Sequence, residues 1–247
     1  MKKFKKLIPA FCMLLISAVL MGTSTYAWFS MNRTVTADGM EVTAKSNASY
    51  LLIGSTSDAA TNKTGLTTTA TATKTGTTTS CYPVAFSKNG NTFGAEANQV
   101  NVPANGWYTA SNGNSAKPAD DVKNYKVVTE GDAEYMLTYK VWLTLSADSE
   151  PYTYGKIKVT LTANTGDVAV KAVVKIGNDY IVLGAVDATG TTTVNANLTK
   201  DSATEVIVYV YVDGASDHVY SDYINANNTI SGSLSLQFDL VDNAPAA

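Results

Sequence analysis

The chain has little of what staples small secreted domains together or carries acid–base chemistry. Its 247 residues include two cysteines, one histidine and six prolines. Cys12 lies in an apolar N-terminal run, so removal of that run leaves Cys81 with no partner for an intrachain disulfide. A chain of this size then depends on its hydrophobic core or on assembly rather than on covalent staples. The lone histidine, His218, has neither an HExxH helix nor a second histidine with which to hold a catalytic zinc. It is expected on a surface loop. No glycine-rich phosphate loop precedes a helix-like segment. Arginine is reduced to Arg33, and 18 basic against 21 acidic residues give a net charge of −3. Nucleic acid is therefore not expected as a partner, because phosphate binding needs clustered Lys and Arg to displace counterions. The last residues, Asn243-Ala244-Pro245-Ala246-Ala247, hold neither a sorting motif nor a hydrophobic tail, so sortase attachment to the cell wall is not expected.

What is present begins at the N-terminus. Lys2, Lys3, Lys5 and Lys6 form a positive region, Leu7 to Met21 an apolar one, and Thr25-Tyr26-Ala27 an A-x-A-like cleavage site. Residues 1–27 are expected to be a signal peptide, helical before cleavage between Ala27 and Trp28, and the product to be secreted or held at the cell surface. The alternative is an uncleaved anchor, since Leu7 to Phe29 is long enough to span a bilayer if Thr23, Ser24 and Thr25 are tolerated. Pro9 and the cleavage site favour cutting. Loss of the four signal lysines takes the net charge from −3 to −7 over the 220 remaining residues. Cleavage exposes the aromatic pair Trp28-Phe29 at a new terminus, and leaving that surface in water is costly.

Residues 28–247 are written in Thr, Val, Ala, Tyr, Asn and Gly, the vocabulary of strands and tight turns. In Tyr135 to Leu145, Tyr135, Leu137, Tyr139, Val141, Leu143 and Leu145 share one face. Met136, Thr138, Lys140, Trp142 and Thr144 share the other. Ile157, Val159 and Leu161 alternate with Lys156, Lys158, Thr160 and Thr162 in the same way. Val168 to Ile176, Tyr180 to Val186, Glu205 to Val212 and Ser233 to Leu240 add further strands, with Asp217 to Asn228 a loop or short helix before the last. Near the front, Thr34 to Ala44 alternates with a change of phase at Asp38-Gly39, which predicts a bulge or tight turn, and Tyr50 to Ile53 forms a short strand. Ser55 to Ser80 carries twelve threonines and almost no large apolar residue; a solvated loop is expected there in preference to an edge hairpin. Residues 81–134 hold isolated anchors among Asn-Gly and Pro signals, consistent with short strands and long loops. Strands with one apolar face and no helices between them predict an all-β fold. Its architecture is expected to be one antiparallel, jelly-roll-like β-sandwich domain over 28–247, with a low-complexity insertion at about 55–80.

Thr25-Tyr26-Ala27-Trp28-Phe29-Ser30-Met31-Asn32, followed by Val35-Thr36-Ala37-Asp38-Gly39-Met40-Glu41-Val42, resembles the N-terminal signature of the TasA and camelysin group. The resemblance covers about the first 45 residues. Members commonly carry an acidic residue soon after the aromatic pair, where this chain has Ser30-Met31-Asn32-Arg33. The resemblance implies a SipW-type signal peptidase and a mature N-terminal strand that leaves its own subunit to complete a sheet of the next. On this implication Trp28, Phe29, Val35, Ala37, Met40 and Val42 form the donor strand of a biofilm-matrix fibre. The residues are independently suited to it, because strand addition takes affinity from main-chain hydrogen bonds and specificity from alternate side chains. Head-to-tail contacts that do not close produce filaments. The same strand could equally pair within its own body.

The remaining candidates for chemistry are few. Cys81, followed by Tyr82-Pro83, has no visible low-pKa context and is expected as a buried small hydrophobe or an interchain crosslink. Asp213-Gly214-Ala215-Ser216-Asp217, with Asp222 nearby, could offer oxygens to calcium but does not follow the EF-hand pattern; an acidic turn is the simpler expectation. Trp107 and Tyr108 are the candidate glycan contacts of a carbohydrate-binding or adhesin module, with Tyr152, Tyr154, Tyr209, Tyr211, Tyr220 and Tyr223 as further aromatics. The expectation is a non-enzymatic secreted fibre subunit without cofactor or metal. Its expected partners are other copies of itself, a signal peptidase and matrix polysaccharide.

Overall fold

The computed structural model describes residues 35–36, 40–46, 51–56, 69–75, 80–93, 99–111, 124–146, 154–164, 169–184, 189–198, 203–216 and 232–241. Among them there are strands and turns and no helix, so the protein is all-β. The largest sheet runs in the order β15 (Asp179–Leu183), β14 (Val170–Ile176), β17 (Thr204–Val212), β12 (Met136–Leu145) and β3 (Leu51–Gly54). β5 (Thr73–Thr75) shares the outer edge of β12 with β3, and all these pairs are antiparallel. A second sheet has the order β16 (Thr189–Leu198), β13 (Tyr154–Asn164), β18 (Gly232–Val241), β2 (Met40–Ser46) and β4 (Thr69–Thr71). Its pairs are antiparallel except β2 with β18, which run parallel over seven residue pairs from Met40–Gly232 to Ser46–Phe238.

The alternation read from the sequence is what joins these sheets. Leu137, Val141, Leu143 and Leu145 of β12 and Val206, Val208, Val210 and Val212 of β17 lie in one hydrophobic cluster. Ile157, Val159 and Leu161 of β13, Leu234, Leu236 and Phe238 of β18, and Val42 and Ala44 of β2 reach that cluster from the second sheet. Lys156 and Lys158 of β13 stay exposed. Period-2 spacing therefore sorts each strand into a buried and a solvated face.

Three features depart from expectation. The Thr-rich tract supplies β4 and β5, two three-residue edge strands on different sheets, rather than loop alone. Ala72, between them, is buried and donates its N–H to the carbonyl of Val42 at 2.9 Å. Threonine has enough strand propensity to add an edge once a core-forming strand offers backbone partners, and a single alanine marks the crossing point. Tyr135 does not share the face of Leu137. It precedes β12 in a turn closed by the N–H groups of Tyr135 and Met136 on the Asp132 carbonyl, and its ring joins the Met136 side chain in a separate cluster.

The third departure is the largest. The short strands expected between residues 80 and 130 are there, but the described ones build an added layer: β7 (Ala85–Ser87), β10 (Gly106–Ser111) and β11 (Asn124–Val128) form a three-stranded sheet in the order β11-β10-β7. Its Phe86, Trp107 and Val128 pack with Met136, Val173, Tyr209 and Tyr211 from the face of the largest sheet opposite the main core. The central sheet is thus covered on both faces over part of its area. β8 (Asn91–Phe93) and β9 (Val100–Val102) make a hairpin beside it, with Phe93 stacked on Tyr125 at 4.1 Å. The β9–β10 turn explains its Asn-Gly: Asn105 has φ of 56°, and a Cβ on Gly106 would stand 2.6 Å from the Pro103 carbonyl oxygen. β1 (Val35–Thr36) and β6 (Ser80–Cys81) complete the set with a ladder of two residue pairs.

Candidate functional site

The residues proposed for strand donation divide into two groups. Ala27, Trp28, Phe29 and Ala37 lie outside the described residues. Val35, Met40 and Val42 are paired within their own chain: Val35 opposite Cys81, Met40 opposite Gly232 and Val42 opposite Leu234. Val42 is 1% exposed in the main core, which corrects the expectation that it travels to a neighbour. The physical reason is that β2 fills a place beside β18 that the chain's own alternating Val42 and Ala44 satisfy. The phase change at Asp38-Gly39 falls between β1 and β2, where the chain passes from the small sheet with β6 to the five-stranded one.

The candidate glycan contacts are corrected as well. Trp107 is 1% exposed, so its ring offers no stacking face to a sugar. It is boxed by Phe86 at 4.8 Å and Tyr211 at 4.9 Å between ring centroids, with Tyr209 at 5.9 Å. Tyr108 points the opposite way along β10 and packs with Phe93 and Tyr125; burial, then the nearby charge of Asp213, raises its pKa. Tyr209 and Tyr211 are buried rather than displayed. Tyr152, Tyr220 and Tyr223 lie outside the described residues, as do His218, Asp217 and Asp222. Tyr154 opens β13. Cys81 is fully buried, which fits a small hydrophobe. Asp213 makes an acidic turn, pairing with the Lys171 ammonium and accepting the N–H of Ala215 at 3.1 Å. Among the described residues, no group of three or more His, Cys, Asp or Glu side chains is placed to hold a metal.

A polar centre that the sequence did not reveal lies where the added layer meets the central sheet. Glu130, in the turn after β11, accepts hydrogen bonds from Lys175 Nζ at 2.7 Å, Tyr180 Oη at 2.8 Å and Tyr209 Oη. Burial by itself would raise the Glu130 pKa, but the bonds from Lys175, Tyr209 and Tyr180 together hold it below the usual carboxylate range. Burial, then the bond to Glu130, raises the Tyr209 hydroxyl. Lys175 stands 5.1 Å from the Tyr180 ring centroid, close enough for a cation–π contact. One side chain thereby ties the turn after β11 to β14, β15 and β17. In sequence Glu130 is one carboxylate among twenty-one acidic residues, and only the following Gly131, at φ of 76°, hints at a shaped turn.

Beside this centre, beyond the margin of the added layer, a cleft of about 260 Å³ opens to solvent, lined by Lys175, Gly177, Thr204, Glu205 and Ile207. Glu205 accepts from Lys140 Nζ at 2.7 Å. Each lysine flanking Ile207 therefore already has its own carboxylate. Comparison of the chain with family models, with curated proteins and with solved structures finds no match.

Proposed function

We propose that this chain is an exported structural subunit of extracellular fibres, joined head to tail through the ribbon that begins at Trp28. In this reading the N-terminal segment forms the signal helix and is cut after Ala27, and the two large sheets that share a core form a jelly-roll-like sandwich, antiparallel except for the β2–β18 pair. Resemblance to the TasA and camelysin signature supports export through a SipW-type peptidase. No enzymatic activity or cofactor is assigned.

The observation that carries the reading is a contrast in anchoring. β2 is held to β18 by seven residue pairs and by the buried side chains of Val42 and Ala44, whereas among the described residues β1 is held to β6 by two pairs. Of the chain ahead of β2, the described residues Val35 and Thr36 are thus held by that short ladder alone. A short ladder costs little to open, and an identical ribbon from another copy restores the same main-chain hydrogen bonds. The donor is accordingly narrowed to the residues before β2, with Trp28 and Phe29 as its apolar anchors.

The test uses the chain beginning at Trp28 and a version lacking Trp28 to Ala37, followed by sedimentation and electron microscopy. The longer chain is expected to form filaments and the shorter to remain a folded monomer. Equal polymerisation of both, or a lasting monomer from the longer chain under all assembly conditions, overturns the mechanism. Mass spectrometry of the exported protein's N-terminus separately decides whether cleavage follows Ala27.

A further inference from the structure

We infer that the cleft floored by Ile207 is a subsite for one neutral sugar unit of a polysaccharide. Strand register fixes its plan. Tyr180, Lys175, Ile207 and Lys140 face one another across β15, β14, β17 and β12, and Glu205 lies opposite Trp142 one step further along the same face. With strands about 4.8 Å apart, the row from Tyr180 to Lys140 is roughly 14 Å wide. The added layer covers Tyr209, Tyr211 and Val173 and reaches the row at Tyr180, which packs against Phe86, while Ile207 is half-buried against the layer's margin and Trp142 is half-buried further along β12.

Charge balance selects the ligand class. Lys175 is matched by Glu130 and Lys140 by Glu205, each at 2.7 Å, so the cleft offers neither the surplus positive charge an anion needs nor a spare carboxylate for a cation. A rim of ion pairs excludes a purely apolar guest, because closing over those charges without new hydrogen bonds is costly. A sugar satisfies both conditions. Its hydroxyls donate to Glu205 and accept from Lys175, and its C–H face covers Ile207 on the cleft floor. Gly177, at φ of 61° in the β14–β15 turn, puts backbone without a side chain at the mouth. At about 260 Å³ the cleft is smaller than the roughly 300–1,000 Å³ of sites that engulf a drug-sized ligand, and its open side lets a longer chain run on. The site lies apart from β1 and β2, so the inference stands or falls independently of assembly.

The test is calorimetric titration of the full chain with maltohexaose, cellohexaose, laminarihexaose and chitohexaose, with amide chemical shifts recorded on the same samples. At least one oligosaccharide is expected to bind and to shift the amides of Lys175 to Gly177 and Thr204 to Ile207. Lys175→Met and Glu205→Gln are each expected to weaken binding roughly tenfold, as loss of a hydrogen bond to a charged group does, and Val127→Thr on another surface to leave it unchanged. Absence of binding by all four at millimolar concentration overturns the inference. So does binding whose shifts map elsewhere in the unaltered chain, a readout that needs no variant to fold.

Discussion

The main core and the aromatic layer above the central sheet bury their residues by different means. Between the two large sheets the cluster is aliphatic, drawn chiefly from Val, Ile and Leu, with Tyr139 and Phe238 as its rings. On the opposite face of the central sheet Trp107, Tyr135, Tyr209 and Tyr211 dominate, with Tyr82, Phe86 and Tyr180 packed against them. Broad sheets with many alternating positions can seal a core from small branched side chains. A layer of three short strands has few positions, so each must cover a large area, which aromatic rings do. The rings also bring hydroxyls, and those need partners. Glu130 supplies one for Tyr180 and Tyr209, whereas Trp107 Nε1 and Tyr135 Oη are buried with no hydrogen-bond partner. The difference teaches that the main core is held chiefly by aliphatic burial, while the aromatic layer depends also on the hydrogen bonds its hydroxyls find.

The comparison breaks most visibly in the main core. Phe238→Ala is expected to cost about 3–5 kcal/mol in a denaturant titration, because the cavity left between two wide sheets cannot collapse. A loss below about 1 kcal/mol would show that the core is loosely packed there and that the contrast is false.

Glu130→Gln is expected to cost about 1–3 kcal/mol by leaving the Tyr209 hydroxyl and the Lys175 ammonium poorly matched, with hydrogen exchange rising first in β7, β10 and β11. The sign of its pH dependence follows from a folded-state pKa that is lowered. Stability from Glu130 is present above its ordinary value of 4.5 and is lost as pH falls through the lower folded value. The unaltered protein should therefore lose protection in the aromatic layer on acidification in that window, and the Gln variant should lack that component. Equal acid sensitivity of the two proteins would remove Glu130 as the tie.

Gly190→Ala tests the seam between the large sheets, since a Cβ there would sit 2.4 Å from Ile181 Cγ2; overpacking of about 1–3 kcal/mol is expected in thermal unfolding. Trp107→Phe is expected to have the smallest effect, under about 1.5 kcal/mol, because removal of an unpaired buried N–H offsets part of the lost packing. A large loss would mean that Nε1 has a partner, such as a bound water.

Strand existence and facing were legible in the letters wherever alternation was long. Leu137 to Leu145, Ile157 to Leu161 and Leu234 to Phe238 could bury one face in only one way, because side chains alternate with period 2 and a slip of one residue would expose the whole set. That one strand ends and another begins on either side of Asp38-Gly39, and that Cys81 packs as a buried small hydrophobe, were legible for similarly local reasons. The tertiary structure alone decided which aromatic residues are hidden, which edge receives the threonine strands, and that Glu130 meets Lys175, Tyr180 and Tyr209. Those outcomes depend on contacts between residues far apart in the chain. A tyrosine's neighbours along its own strand do not say whether a third layer will cover it, and a carboxylate's bonding is set by whichever donors the sheet order brings to its turn.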